Sequence, residues 1–179
     1  MSVFLSMASI FRDFQNPADQ MRERGADINF AKRYNSDCVI CQEKEGGSYM
    51  EQIWKEMFQA ARAVQNGRQI SDYVSAGGVA AAILSSSGKI YTGVCVDTCS
   101  TLGICAERNA IFHMITNGEQ EIKKVLAIMP DGKSGAPCGA CRELMVQLMP
   151  NSYQEIEVLM DFEAEEIITL GELTPKWWI

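Results

Sequence analysis

Several features are scarce in this sequence, and each scarcity narrows its function. No apolar run approaches the ~20 residues that a membrane-spanning helix requires. Basic residues are outnumbered, with 16 Lys and Arg against 23 Asp and Glu, which argues against an enzyme that tracks along a nucleic-acid backbone. The single histidine, His113, follows Glu107 by six residues in a helical stretch, so the two lie on different faces and we expect no metal role for it. We therefore expect neither a membrane nor a nucleic acid as a partner.

A cationic segment is also missing in front of the first apolar stretch. Residues 3–11 have the composition of a signal-peptide core, but Arg12 and Asp13 follow them directly. Seven cysteines, an odd number, in a chain without a convincing signal peptide indicate a reducing compartment. We expect a soluble, cytoplasmic protein that acts on a small, uncharged substrate.

Two cysteine motifs carry most of the chemical information. Residues 105–108 read CAER and residues 137–141 read PCGAC. The pair Cys138 and Cys141 supplies two thiolates, and Cys105 supplies a third, which leaves one position of a tetrahedral zinc ion open for water. Glu107, if it is not a ligand, is placed to take a proton and pass it to a leaving amine. The motifs predict a catalytic zinc site.

Three thiolates give such a site a formal charge of −1, which weakens the metal as a Lewis acid. Each motif lies between a predicted strand and the helix that follows it, so its cysteines are at or near a helix N-terminus. Helix N-termini stabilise thiolates only modestly, by ~0.3–2 kcal/mol. Arg108 and Arg142 are candidates for hydrogen bonds to the sulfurs, each worth ~1.5–3 kcal/mol. The alternative is that these arginines are solvated surface residues.

The chain divides into an N-terminal extension, residues 1–48, and a catalytic domain, residues 49–179. Apolar residues in the extension recur at helical spacing up to Asn16-Pro17, which predicts a short amphipathic helix that packs on its own domain or on a neighbouring subunit. A polar, linker-like stretch follows. Cys38 and Cys41 form another CxxC pair, which we interpret as two reduced cysteines because no further unassigned pair completes a structural zinc site.

In residues 49–179, helical and strand patterns alternate. Helices are predicted from Tyr49 to a stop at Asn66-Gly67, at 104–116, and from Pro137 to Pro150; strands are predicted at 77–85, 89–96, 125–129, 156–160 and 167–170. The first two strands form a hairpin. This order predicts an α/β fold with three αβα layers, a mixed β-sheet of about five strands with helices on both faces.

CAER followed about thirty residues later by PCGAC resembles the zinc-dependent cytidine deaminase family. The resemblance spans roughly residues 49–178. It implies one Zn²⁺ per subunit on Cys105, Cys138 and Cys141, with Glu107 as proton shuttle and Arg108 neutralising thiolates. It further implies that the backbone at Ala106 holds the pyrimidine ring, and that hydrolysis at C4 releases ammonia as in pyrimidine salvage.

The resemblance also bears on assembly. It implies a homotetramer, or a homodimer, with active sites at subunit boundaries. Residues 172–175, ELTP, look like the family's C-terminal ELLP element, which an aromatic residue follows at three residues' distance. Trp178 matches that aromatic position, where the family covers the base bound by a neighbouring subunit.

The sugar-reading part of the pattern is different. The family's NxE element is replaced by Cys95 and Asp97, and its FxVGA entry to the first hairpin strand by residues 75–79, SAGGV. Residues 85–94 look somewhat like blasticidin S deaminase. We expect deamination of cytidine, deoxycytidine or a close analogue, with a blasticidin S-type or other amino-heterocycle substrate as the alternative. A non-catalytic zinc-stabilised binding module and a nucleic-acid editing enzyme are further alternatives.

Overall fold

The structure, a computed structural model, describes residues 50–178, so the expected helix of residues 1–48 and the pair Cys38 and Cys41 lie outside the described residues. Its elements are α1 (Gln52–Val64), β1 (Arg68–Ser71), β2 (Val74–Ser85), β3 (Ile90–Thr98), α2 (Ala106–Thr116), β4 (Ile122–Ile128), α3 (Gly139–Leu148), a 3-10 turn (Tyr153–Glu155), β5 (Glu157–Asp161), β6 (Glu166–Thr169) and α4 (Leu170–Leu173). Of the helices in this part of the chain, none is long and apolar enough to span a membrane.

β2 is the centre of a six-stranded mixed sheet. It pairs antiparallel with β1, β3 and β4, while β4 pairs parallel with β5 and β5 antiparallel with β6. Because β3 and β4 both run opposite to β2, they point the same way. Their C-terminal ends therefore meet at one edge of the sheet, and it is from this edge that α2 and α3 begin.

Alternation along β2 divides the core into two layers. Ala80, Ala82 and Leu84 pack with Trp54 and Met57 of α1. Ile83 faces the other way and packs with residues of α2 and α3. The predicted three-layer αβα fold is thereby confirmed, with six strands rather than about five.

The strand missing from the prediction is β1. All four of its residues are exposed, so no alternation of apolar and polar side chains marks it. The predicted stop of α1 at Asn66-Gly67 also differs, because the helix ends at Val64 and Gln65 already has extended backbone. The Gln65 side-chain amide donates to the carbonyl oxygens of Gly78 at 2.8 Å and Met129 at 3.0 Å, which directs the chain into β1.

Gly93 of β3 allows α2 to lie directly against the sheet. A Cβ at this position would come within 2.8 Å of the Ala106 carbonyl oxygen and would collide with the backbone nitrogen of Ala110. We expect Gly93→Ala to lower the free energy of unfolding by ~1–3 kcal/mol or more, because the backbone of α2 must shift to make room for the methyl group. Thermal melting checks this, with Gly78→Ala as the control because a Cβ there meets nothing within 4 Å. Equal melting temperatures for the two variants would contradict the close approach.

Glu119 joins the start of β4 to the β2–β3 hairpin. Its carboxylate accepts from the Ser87 hydroxyl at 2.7 Å and the Tyr91 hydroxyl at 2.9 Å, and it lies 2.9 Å from Lys89 Nζ. Hydrogen bonding by Ser85, Ser87 and Lys89 lowers the pKa of Glu119 to about 2. An unfolded Glu titrates near ~4.3, so this contribution to stability is complete above that pH and is lost as the pH falls toward 2.

We therefore expect Glu119→Gln to melt a few degrees below the wild type at pH 7. The difference should shrink as the pH is lowered from about 4 toward 2, because the wild-type carboxylate then becomes protonated. Melting curves across this range test it, with Glu121→Gln, an exposed neighbour, as the charge-matched control. A difference independent of pH would show that lost packing rather than the carboxylate charge is responsible.

Candidate active site

The two cysteine motifs meet because two helices start at the same edge of the sheet. Cys105 is the N-cap residue of α2 and Cys138 is the N-cap residue of α3, both with extended backbone and neither capping its helix with its side chain. Cys141 lies in the first turn of α3 and is fully buried. The sulfurs are therefore free to point toward one another rather than toward the helix ends.

The three thiols form a compact cluster. The Sγ atoms of Cys105 and Cys138 are 3.5 Å apart and those of Cys138 and Cys141 are 3.4 Å apart, and all three lie within 4.8 Å of one another. Thiolates on a tetrahedral zinc ion with Zn–S of ~2.3 Å are separated by ~3.8 Å. The cluster needs only small adjustments to hold zinc, and this donor set favours zinc over harder cations.

Glu107 lies beside the thiols in the first turn of α2. The residue is only 4% exposed, and this burial raises the pKa of its carboxyl group above the ordinary value. Glu107 is not among the three residues whose ligand atoms cluster. The structure thus places a carboxyl group with an increased tendency to hold a proton next to the thiols without making it part of the cluster.

The two arginines have different roles. The Arg108 Nη2 group donates to the Cys105 sulfur at 3.9 Å, as the sequence led us to expect. The Arg142 guanidinium instead donates to the carbonyl oxygens of Pro137 at 2.8 Å and Leu173 at 3.0 Å. Arg142 therefore holds the residue before Cys138 and the C-terminal segment together by backbone contacts, which neither of its two sequence-based interpretations included.

A cavity of about 480 Å³ opens onto Cys105, Cys138 and Glu107. Three of the expected substrate-binding residues, Ala106, Cys95 and Asp97, line it. Trp178 does not line this cavity; it is 70% exposed, and its indole Nε1 donates to Glu143 at 3.0 Å. Within one chain, Trp178 is thus separate from the other expected site residues.

Gly78 and Val79, from the SAGGV stretch already singled out in the sequence, also line the cavity. Four further wall residues were not foreseen: Thr98, Ser100, Met129 and Pro130. Gly78 and Val79 lie in an irregularity of the β2–β3 pairing between Ala76 and Ala80. The two glycines of SAGGV are the sequence signal for this irregularity. Gly77 has φ +84°, a conformation that favours glycine. His113 lies away from this wall, with Nδ1 3.2 Å from the Thr92 carbonyl oxygen.

Comparison with known proteins matches this site to one family. The model of the cytidine and deoxycytidylate deaminase zinc-binding region matches residues 51–154. The cytidine deaminase of Halalkalibacterium halodurans is 31% identical over 98 residues, which cover 54% of this chain and 74% of that protein. The blasticidin-S deaminase of Bacillus cereus is 29% identical over 104 residues, covering 51% of this chain and 74% of that protein.

Solved structures agree with the sequence comparisons. The crystal structure of cytidine deaminase from Mycobacterium leprae superimposes with a TM-score of 0.56 at 26% identity, covering 69% of this chain and 98% of that one. The matched family region contains both cysteine motifs, Glu107 and the strands that position them. This chain therefore belongs to the cytidine and deoxycytidylate deaminase family, whose zinc-binding region it contains.

Proposed function

We propose that this chain is a zinc-dependent hydrolase that deaminates cytidine, deoxycytidine or a close cytosine nucleoside analogue and releases ammonia. The observation that carries the proposal is a cluster of three thiols of which two, Cys105 and Cys138, line one cavity together with the buried Glu107. The catalytic unit we propose is the domain of residues 49–179. Its expected setting is pyrimidine salvage in the cytoplasm.

Each residue of the site has a distinct task in this reaction. Cys105, Cys138 and Cys141 would hold the zinc ion, which when bound acts as a Lewis acid and lowers the pKa of water. Arg108 donates to the Cys105 sulfur and withdraws negative charge from the thiolates. Glu107, with its raised pKa, would accept a proton from the attacking water and pass it to the substrate ring, then take the second proton of that water and pass it to the departing amine.

Residues of the cavity wall would position the substrate. The start of α2 at Ala106 would hold the pyrimidine ring, and the strand residues Cys95 and Asp97 lie on the wall beyond it. We propose that Trp178 completes the site of a neighbouring subunit in a homotetramer or homodimer. Its exposure and its absence from the cavity lining of its own chain support this arrangement.

A substrate screen tests the proposed reaction. Zinc-loaded full-length protein is given cytidine, deoxycytidine and blasticidin S, and ammonia release is measured. We expect release from at least one compound. Blasticidin S is kept as the second candidate because Cys95 and Asp97 replace the family's sugar-reading pair. Inactivity on all three, with zinc bound, would contradict this substrate class, whereas a fourth protein ligand on the zinc would favour a non-catalytic binding module.

A further inference from the structure

Asp97 is the one exposed acidic side chain on the wall of the described cavity, and its setting suggests a role in choosing substrates. We propose that Asp97, oriented by Cys95, favours cytosine compounds whose sugar end carries a positive charge and disfavours phosphate esters. This inference rests on the proposed function. It concerns charge selection, which neither the cysteine motifs nor the family membership specifies for this chain.

The position of Asp97 follows from the way β3 passes α2. Alternate residues of a strand share a face, so Tyr91, Gly93, Cys95 and Asp97 lie on the same side of β3. Gly93 contacts the α2 backbone closely, whereas Cys95 and Asp97 lie farther along, toward the C-terminal end of the strand. There they are wall residues of the cavity, together with Glu107.

Cys95 orients its neighbour rather than offering a free group to a ligand. Its sulfur accepts from the Val79 backbone N–H at 3.2 Å, and its S–H donates to Asp97 Oδ2 at 3.6 Å. The residue is 8% exposed. Because the thiol proton is directed at Asp97 and the sulfur already accepts from Val79, Cys95 is a positioning residue, and the polar group that can meet a ligand at this end is the Asp97 carboxylate.

The charge of the cavity wall is predominantly negative. Among its described residues, Asp97 and Glu107 are acidic and Arg108 is the one cation, already directed at the Cys105 sulfur. A carboxylate accepts hydrogen bonds but donates none. Sugar hydroxyls can therefore donate to Asp97, and an ammonium or guanidinium group would bind it more strongly. A phosphate would meet a like charge, and the described wall residues of this chain offer no further cation to compensate for it.

The expected preference for the cationic compound over the neutral nucleoside is modest, because Asp97 is exposed to solvent. An exposed ion pair increases affinity by at most about fivefold. The phosphate carries a larger charge and is repelled, so we expect its affinity to be lower by about tenfold or more. The preference should weaken as salt is added, since ions screen exposed charges. A neutral nucleoside should fall between the two.

The test compares three compounds that differ in charge at one position. They are 5′-amino-5′-deoxycytidine, cytidine and cytidine 5′-monophosphate, given to zinc-loaded full-length protein. We expect kcat/KM to fall in that order for the wild type. In Asp97→Asn the advantage of the amine should disappear and the penalty of the phosphate should shrink at least threefold. Glu121→Gln, an exposed residue outside the described cavity wall, removes one charge as the matched control and should leave the wild-type order unchanged.

Binding of the same compounds separates the possible failures. Calorimetric titration into zinc-loaded Glu107→Gln should give the same order of affinities without turnover. If cytidine is deaminated but all three compounds react equally, or if Asp97→Asn keeps the wild-type order, the inference is wrong and the proposed function stands. If no cytosine compound is bound or deaminated, the proposed function fails and the inference fails with it.

Discussion

Replacing Glu107 with Gln is expected to lower kcat by about 10²–10⁴-fold, the usual contribution of a general acid–base group. Glutamine has nearly the same shape as glutamate, but its amide neither accepts nor releases a proton near neutral pH. Burial raises the pKa of the native carboxyl group and so favours the protonated form needed to supply the leaving amine. Zinc content should remain at the wild-type level, because Glu107 is not part of the thiol cluster.

Two measurements are needed to interpret that variant. Ammonia release gives the loss of turnover, and metal analysis of the same preparation shows whether zinc is retained. Glu163→Gln is the control, since Glu163 is exposed in the connection between β5 and β6 and outside the cavity lining. Full activity of Glu107→Gln would remove Glu107 from its proposed role. Loss of zinc together with activity would instead identify it as a ligand and favour a closed, non-catalytic metal site.

Local sequence signals were sufficient for the centre of the site. The spacing within PCGAC sets Cys138 and Cys141 one helical turn apart, and apolar periodicity located α1 through Trp54 and Met57, both fully buried. Both motifs follow predicted strands and precede predicted helices, so their cysteines were expected at the starts of helices. These features depend on neighbouring residues only, so no tertiary information was required to foresee them.

Features created by contacts between distant segments could not be foreseen in the same way. Cys95 acquires its role from the Val79 N–H, across an irregular strand pairing. Arg142 joins carbonyl oxygens at Pro137 and Leu173, a contact that no spacing rule encodes. β1 is paired through its backbone while its side chains are exposed, so hydrophobic pattern gave no sign of it.

The second large effect is expected for Cys141→Ala. Cys141 is fully buried within the core shared by α2 and α3, and burial together with the negative charge of Glu107 raises the pKa of its thiol. Such a thiol becomes a thiolate readily only when a cation compensates the charge. We expect zinc affinity to fall by more than about 100-fold, exceeding the effect of an outer-shell mutation, and deaminase activity to fall below detection.

Thermal melting with and without a chelator separates the loss of zinc from the loss of packing. Zinc bound to the folded wild type stabilises it by mass action, so without chelator Cys141→Ala should melt well below the wild type. After chelation the remaining difference should reflect only the deleted sulfur, about 1 kcal/mol or ~2–4 °C for a domain of this size. The control Cys99→Ala, at an exposed cysteine whose thiol donates to the Tyr73 carbonyl oxygen, should keep wild-type zinc content. If Cys141→Ala retains one zinc per chain and its melting difference from the wild type is the same with and without chelator, Cys141 is a core residue and not a ligand.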